Sequence, residues 1–445
     1  MTGADLEQVP EVWAGVECAH VAVGDRWVDQ LALTGLAERP ETIALAGRLH
    51  VTAVRCPVLW GWPDGRAETD WAWAERAVDA LAGRGIRPIV GLLHHGSGPS
   101  GSTLVDPDFP SRFAAYAATV ARRLSGVTEF LPINEPLTTA RFAGLYGWWQ
   151  PHARDHRMFV RMLLNQVLAI RAAARVIRAE RPGATIVVNE DVGRTRGTRP
   201  VRAAVRFDNA RRWLTFDLLT GRVDPAHSLW PYLAEEPAHR ATLDSLRRDP
   251  EPPDILGLDY YVTSDRFLDH RLERYPPAAH GGDGRLRYAD VELVRAHPAG
   301  IGGFRRAIAE AWARYGLPLA LTEVHLAGEE QDQVAWWVEA WRAAEEARRG
   351  GIPVRAVTAW AALGTSGWSS LLGGSDLRYE PGAFDLRARP PRLTASGRAI
   401  ARVALGRPPA VQGRGWWRRA DRLTFGPELT DGRLARAPGA EARVA

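Results

Sequence analysis

Two glutamates, far apart in the chain, each stand directly after an uncharged apolar run. Glu135 follows residues 131–134, and Glu323 follows residues 317–322. Such runs are typical of strands buried on both faces, and a carboxylate at the end of such a strand lies at the mouth of a parallel sheet. Two carboxylates there can act as an acid and a nucleophile if their surroundings give them different pKa values. Glu135 and Glu323 are therefore the candidate catalytic pair.

Only a fold that collects distant strand ends on one face can bring these glutamates together. Alternating strand-like and helical patterns predict a (β/α)8 TIM barrel, built as a single domain with long loops after its strands. A doubly wound dinucleotide-binding sheet is disfavoured, since no G-x-G-x-x-G follows a predicted strand. The predicted strands are 12–18, 51–58, 86–93, 127–133, 184–189, 255–261, 317–322 and 354–360, and the clearest predicted helices are 71–82, 111–125, 159–180, 303–315 and 332–349.

The periodic pattern ends near Gly406. Residues 1–405 are predicted to form the barrel, and residues 406–445 are predicted to be an Arg-, Pro- and Gly-rich tail or linker. We expect this tail to add little to the stability of the barrel, with Trp416 and Trp417 as the side chains that could anchor it.

Composition excludes several classes of protein. The chain has 445 residues, 46% hydrophobic and 24% charged, which is enough apolar sequence for a large core. Two cysteines, Cys18 and Cys56, give neither a disulfide framework nor a metal-binding spacing. The 57 basic residues, all Arg, are balanced by 52 acidic ones, so no nucleic-acid partner is expected. No signal segment or membrane-length apolar run is recognisable, which predicts a cytoplasmic protein without membrane contact.

The predicted strand ends resemble those of glycoside hydrolase family 1, within the clan A barrel glycosidases. Asn134-Glu135-Pro136 is similar to the family's Asn-Glu-Pro motif, and Thr322-Glu323 is similar to the Thr-Glu of its nucleophile strand. The resemblance covers roughly residues 12–405. It implies that Glu135 is the acid/base, that Glu323 is the nucleophile and that Asn134 binds the sugar 2-hydroxyl.

Further positions extend the resemblance. It implies that His94, at the end of the third strand, binds the sugar, and that Arg55 and Tyr261 support the nucleophile. It also implies that Trp360, after the eighth strand, forms the sugar platform, with Trp368 as a second substrate-binding tryptophan. The chemistry agrees, because a cation and a phenolic donor both favour the ionised form of a carboxyl group. Carboxyl groups about 5 Å apart would give retention, and a separation above about 6.5 Å would give inversion.

The sequence also departs from the family pattern. The first strand lacks the Gln that grips the sugar 3- and 4-hydroxyls, leaving Glu17 and His20 as candidates. Gly367 stands where the family has a Glu for the 4- and 6-hydroxyls, and Asp259 replaces an Asn. Members that act on 6-phosphorylated sugars use a Lys that this chain cannot supply, and Arg378 is a weak substitute. These departures predict a sugar specificity altered from plain glucose.

Other residues compete for these roles. Glu190 and Asp191, after the fifth strand, and Glu17 are rival carboxylates. His94 and His95 could form a metal pair, but adjacent side chains on a strand point to opposite faces and are not expected to line one site.

The sequence therefore predicts a retaining β-glycosidase that hydrolyses a small-molecule glycoside without metal or cofactor. The alternatives are a non-catalytic carbohydrate-binding or partner module with a degenerate pocket, and a metal-dependent barrel hydrolase. The latter would require a His-x-His at a strand end, which is not found. The resemblance also implies a reductase-type partner domain or protein, with residues 416–419 at the junction.

Overall fold

Eight parallel strands close into a barrel at the centre of the molecule, and this confirms the predicted TIM barrel. The computed structural model describes residues 9–24, 26–61, 69–368, 377–411 and 413–425. Around the ring the strands follow the order β1-β8-β7-β6-β5-β4-β3-β2. The strands are β1 Glu11–Gly15, β2 Ala53–Pro57, β3 Arg87–His94, β4 Glu129–Asn134, β5 Thr185–Asp191, β6 Ile255–Asp259, β7 Leu319–Val324 and β8 Val354–Ala359.

Helices follow the strands, as expected of a β/α barrel. The helices predicted at 71–82 and 303–315 are observed with the same bounds, and the other three predicted helices begin two or three residues earlier than expected. In the described ranges no helix combines the length and the apolar character needed to cross a membrane. The helices are α1 Gln30–Leu33, α2 Trp71–Ala82, α3 Phe109–Arg123, α4 Pro136–Ala140, α5 His156–Glu180, α6 Arg202–Arg211, α7 Leu214–Leu219, α8 Trp230–Leu233, α9 Pro237–Arg248, α10 Leu293–Ala296, α11 Gly303–Tyr315, α12 Glu330–Arg349 and α13 Ala395–Ala404.

One apolar side chain from each strand fills a layer inside the barrel. The large indole of Trp13 on β1 is accommodated because the neighbouring strands β2 and β8 contribute only alanines, Ala53 and Ala356. The small residues next to Trp13 and the branched residues on the opposite strands fill the barrel interior with side chains. This packed layer therefore supports the C-terminal ends of the strands, where the candidate residues lie. The layer consists of Trp13, Ala53, Ile89, Leu131, Val187, Ile255, Ala320 and Ala356.

The loops after β5 and β6 build a second, smaller sheet beside the C-terminal ends of the barrel strands. Thr195–Gly197 comes from the first loop, and Arg266–Asp269, His280–Gly282 and Arg287–Glu292 come from the second. The predicted long loops are thus structured where they border the candidate site.

Part of the predicted tail packs against the barrel. Trp417 is 1% exposed, its ring lies 5.0 Å from the ring of Trp336 on α12, and its Nε1–H donates to Glu339 at 3.0 Å. Arg422 donates to the backbone oxygens of residues 297 and 298. Residues 413–425 therefore pack against the barrel through Trp417, one of the two side chains expected to anchor them. The expectation that residues 406–445 add little to the stability of the barrel stays a prediction. The rest of that prediction, residues 426–445, lies outside the described residues.

Replacing Trp417 with Ala should destabilise the barrel. Removing a buried Trp side chain costs about 3–5 kcal/mol. Because the unfolding entropy grows with chain length, this corresponds to a fall in Tm of about 3–5 °C. Leu405→Ala is the control, since Leu405 is 49% exposed and should change Tm by less than about 1 °C. Equal Tm values for the two variants, measured by calorimetry, would show that the segment does not contribute to the fold.

Candidate active site

The register of the barrel strands brings the candidate residues to one face. His94 on β3 is paired with Asn134 on β4, and Glu323 on β7 is paired with Asp259 on β6. Because all eight strands are parallel, their C-terminal ends meet at the same end of the barrel. Residues that the sequence separates widely therefore share one cleft.

Glu323 is held by two donors, one on each carboxyl oxygen. Arg55 Nη1 donates to Oε1 at 2.8 Å, and the Tyr261 hydroxyl donates to Oε2 in a short contact. Burial raises the pKa of the Glu323 carboxyl, whereas Arg55 and Tyr261 act to lower it. The structure thus brings both residues that were expected to support the nucleophile into contact with Glu323.

Glu135 is in a different environment. It is the first residue after β4 and has a left-handed backbone conformation, with φ of 42°. Its Oε1 atom is buried without a hydrogen-bond partner, and His95 Nε2 lies 3.5 Å from its Oε2. Burial and the nearby charges of Asp259 and Glu323 raise the pKa of Glu135 well above its usual range. A carboxyl group in these surroundings favours the protonated form.

Asn134 and Asp259 are joined by Asn189, a residue on β5 that sequence analysis missed. Asn189 Nδ2 donates to Asn134 Oδ1 at 2.7 Å and to Asp259 Oδ2 at 2.5 Å. Thr322 Oγ1 donates to the other Asp259 oxygen at 2.6 Å. Gly257 makes this arrangement possible, since a Cβ there would lie 2.6 Å from both Asn189 and Thr322. A polar residue inside an apolar strand was the only available signal for Asn189.

The side chain of Asn134 has a fixed orientation. Its Oδ1 accepts from Arg55 Nη2 at 2.7 Å as well as from Asn189. The amide nitrogen therefore faces the histidines, 3.5 Å from His94 Nε2 and 3.2 Å from His95 Nε2. Asn134 is thus placed to donate a hydrogen bond toward a ligand.

Both His94 and His95 line the cleft, so the expectation that they point to opposite faces is wrong. His95 follows the end of β3 and has φ of 54°, which turns its side chain out of the strand alternation. Burial lowers the pKa of both rings, to about 3 for His95. Both histidines are therefore neutral. His95 was missed as a site residue because strand periodicity cannot reveal a left-handed residue.

Glu17, one of the candidates for the missing Gln, lines the same cleft. Its carboxylate accepts from the Trp360 Nε1–H at 3.1 Å and lies 3.6 Å from His94 Nε2. Burial and the charge of Glu323 raise the pKa of Glu17 to about 7. The side chain is therefore positioned from both sides and can carry a proton near neutral pH.

The two predicted substrate-binding tryptophans differ in position. Trp360 is 2% exposed, stacks on His94 at 5.5 Å and lies 4.1 Å from Arg55 Cζ. Trp368 lines the cleft, with its ring 5.2 Å from the Tyr261 ring and 4.8 Å from the His325 ring. The structure therefore places Trp360 among the packed residues behind the site and Trp368 on its wall.

The rival carboxylate Glu190 is fully buried and already engaged. It accepts from the backbone N–H groups of Leu137 and Thr138, and from the hydroxyls of Thr138 and Thr215, at 2.8–3.1 Å. These donors include the first turn of α4, directly after Glu135. Glu190 thus fixes the helix that begins beside the candidate acid.

Asp191 lines the cleft but is also held by its neighbours. Its oxygens accept from the Ser264 hydroxyl at 2.6 Å and from the Gly193 N–H at 2.7 Å.

Glu135, Asp259 and Glu323 form a compact carboxyl group cluster. One oxygen from each lies within 4.8 Å of the others, close enough to share a metal ion. However, both oxygens of Glu323 and both oxygens of Asp259 already accept hydrogen bonds. Burial and mutual repulsion raise the pKa of Asp259 and of Glu135, so protons held within the cluster reduce its negative charge.

The cluster opens into a cleft of about 2270 Å³. Gly367, where the family pattern has a Glu, adopts a positive φ of 66°. His325 lines the cleft, and its Nε2 is buried without a hydrogen-bond partner among the described residues. The cleft is therefore much larger than one sugar ring, and position 367 itself carries no carboxyl group.

Comparisons with known proteins support the fold. No family model matches the sequence, and no curated protein is matched by it. Among solved structures, an AHE enzyme from Alicyclobacillus herbarius superposes with a TM-score of 0.68 at 18% identity, covering 85% of this chain and 87% of that one.

A family 1 β-glucosidase from Thermotoga maritima superposes with a TM-score of 0.68 at 16% identity, covering 90% of this chain and 98% of that one. The same enzyme in complex with glucoimidazole gives 0.69 at 17% identity, with the same coverage. At these identities the likeness establishes the barrel fold.

The buried cluster should make stability depend on pH. Burial raises the pKa of Asp259 well above its usual range, so the folded state holds a proton that the unfolded chain releases at lower pH. The stability from that proton is fully present below the unfolded pKa and is lost as pH rises through the folded one. Asp259→Asn should therefore reduce the fall in the free energy of unfolding between pH 5 and pH 8, by about 1.4 kcal/mol for each pKa unit within that range, and with it the fall in Tm measured over the same range.

Asp249→Asn is the control for this measurement. Arg175 lowers the pKa of the exposed Asp249, so this group is ionised in both states across the same pH range and its replacement should not change the slope. A wild-type slope in Asp259→Asn would contradict the shared-proton interpretation.

Proposed function

We propose that this protein is a retaining β-glycosidase that hydrolyses a β-O-glycosidic bond by double displacement. The observation that carries the proposal is the spacing of the two glutamates. A carboxyl oxygen of Glu135 lies within 4.8 Å of one of Glu323, and retaining glycosidases place their two carboxyl groups about 5–5.5 Å apart. An inverting enzyme needs room for a water molecule between them.

In the first step, Glu323 attacks the anomeric carbon while the bond to the leaving oxygen breaks. Glu135 gives its proton to that oxygen, so the leaving group departs as a neutral alcohol. Arg55 and Tyr261 hold the attacking carboxylate in position. The product is a covalent glycosyl ester of Glu323, together with an ionised Glu135.

The second step follows from the electrostatics of the same pair. Esterification removes the negative charge of Glu323, which is one of the charges that raise the pKa of Glu135. The ionised form of Glu135 then becomes more favourable. Glu135 can accept a proton from water as the water attacks the anomeric carbon and the ester bond to Glu323 breaks, so Glu323 leaves as a carboxylate and the sugar is released with retained configuration.

The sugar would be held by groups that already face the cleft. Asn134 Nδ2 carries two N–H groups, so it can donate one to the 2-hydroxyl while the other contacts His95, and its Oδ1 is occupied by Arg55 and Asn189. Glu17 stands at the end of β1 and can take over the contacts of the missing Gln. In this proposal Trp368 forms the stacking wall, and Trp360 positions Glu17 and His94.

Simple β-glucosides should be poor substrates. Gly367 gives the 4- and 6-hydroxyl side no charged partner, and a charged hydrogen bond contributes about 1.5–3 kcal/mol. We expect kcat/KM for an aryl β-glucoside to lie about ten- to a hundredfold below that of another β-glycoside. A panel of aryl β-glycosides measures this ranking. A glucoside that exceeds every other sugar would contradict the proposed pocket.

Azide rescue should distinguish the two catalytic roles. Glu323→Gly should abolish hydrolysis, and azide with an activated aryl glycoside should restore turnover and give the opposite anomer, because the anion occupies the nucleophile's place. Glu135→Ala should slow poor leaving groups far more than good ones, and azide should then give the retained anomer. Glu273→Gly, at an exposed glutamate, is the control and should not respond to azide.

Mass spectrometry after trapping with a 2-fluoro sugar tests the same assignment directly. A label on Glu323 is the expected result. A label on Glu190, Glu17 or Asp259 would overturn it. Sugar binding without label or turnover would favour the alternative of a non-catalytic carbohydrate-binding module.

A further inference from the structure

Within the described part of the chain, one arginine that makes no ion pair lines the same cleft as the candidate acid. Arg141 begins a π-helical turn, Arg141–Leu145, that directly continues α4. Its side chain lines the cleft, and its hydrogen bond within the described residues goes from Nε to the Tyr146 hydroxyl at 3.4 Å. No carboxylate of the described residues lies within ion-pair distance of it. Such π-helical insertions occur frequently at functional sites.

A second arginine converges on the same hydroxyl. Arg211 Nη2 donates to the Tyr146 oxygen at 3.2 Å and to Asp208 Oδ1 at 2.8 Å. The Tyr146 oxygen therefore accepts from two guanidinium groups, and its own O–H remains available to donate. The two cations lower the pKa of this phenol despite its burial. Asp208 is paired with Arg211 and Asp290 with Arg266, so among the described residues Arg141 is the cation of this group that no carboxylate pairs.

The position of this group relative to Glu135 determines what it could bind. Arg141 lies six residues after Glu135, about 9 Å along a helix that starts beside the candidate acid. The acid protonates the leaving group, so groups farther along this helix face the leaving group and not the sugar. An aromatic leaving group with one acidic substituent would be long enough to reach from the bond that Glu135 protonates to Arg141.

We propose that Arg141, Tyr146 and Arg211 form an oxyanion-binding subsite for the leaving group. The leaving group is then a phenol or alcohol that carries a carboxylate or a phosphate, recognised by guanidinium N–H groups and a phenolic O–H. Arginine matches both anions through paired N–H donors. This assignment rests on the proposed glycosidase function, since only that reaction defines a leaving group.

The test compares three substrates with the sugar that the enzyme prefers: 3-carboxyphenyl, 3-phosphonophenyl and 3-carbamoylphenyl β-glycosides. At least one anionic substrate should exceed the neutral carbamoyl one in kcat/KM by about tenfold or more. The anionic substrate with the higher kcat/KM, carboxylate or phosphonate, identifies the anion that the subsite prefers. If the wild-type kcat/KM of both anionic substrates, divided by that of the carbamoyl substrate, is near one, the proposal is overturned.

Two variants distinguish anion binding at the subsite from unspecific electrostatic attraction by the other charges of the cleft. Arg141→Gln should bring the anionic-to-neutral ratio to within about twofold of one. Arg154→Gln removes the same charge from an exposed arginine of the same cleft and should keep the ratio. Equal losses in both variants would assign the preference to unspecific attraction. If Arg141→Gln does not fold, Tyr146→Phe replaces it and should lower the ratio several-fold, and an unchanged ratio would contradict the subsite.

A binding measurement keeps the subsite distinguishable from the reaction. If no glycoside is turned over, the proposed function fails, and calorimetry with 3-hydroxybenzoate and 3-hydroxybenzamide then tests the anion site alone. Tighter binding of the benzoate that Arg141→Gln abolishes would support the site. Equal binding of the two probes to the wild-type protein would overturn it.

Discussion

The candidate site depends on one buried cation surrounded by carboxyl groups. Arg55 is 6% exposed and donates to Glu323, to Asn134 and to the backbone oxygen of Thr322. A single guanidinium cannot neutralise Glu323, Asp259 and Glu135 together. Burying the remaining charges would be very costly, so the cluster must retain protons. The different protonation of the two catalytic candidates follows from which of them contacts Arg55.

Most of the fold was predictable because a barrel strand is buried on both faces. Uncharged runs such as 317–322 stand out from the polar helices around them, and residues just after these runs fall at one end of the barrel. Glu135 and Glu323 were found by this rule. The rule fails for Asn189, which lies inside β5, and for His95, whose backbone conformation leaves the strand alternation.

Other features depend on packing that no local pattern encodes. Trp360 and Trp368 have similar sequence surroundings, yet one is covered and the other borders the cleft. Trp417 belongs to a short turn without apolar periodicity, and its burial depends on the indole of Trp336, far away in the chain. The Arg141 environment likewise needs Arg211, which is the last residue of α6.

The buried hydrogen bonds of Glu190 have a consequence for evolution. They fix the first turn of α4 from a neighbouring strand, so the backbone beside Glu135 does not rely on the residues that follow it. Substitutions at Arg141 and Leu145, which are partly exposed and line the cleft, can then alter its wall while the start of the helix stays in place. The first turn of α4 thus tolerates few substitutions, whereas the turn that follows α4 can acquire new binding preferences.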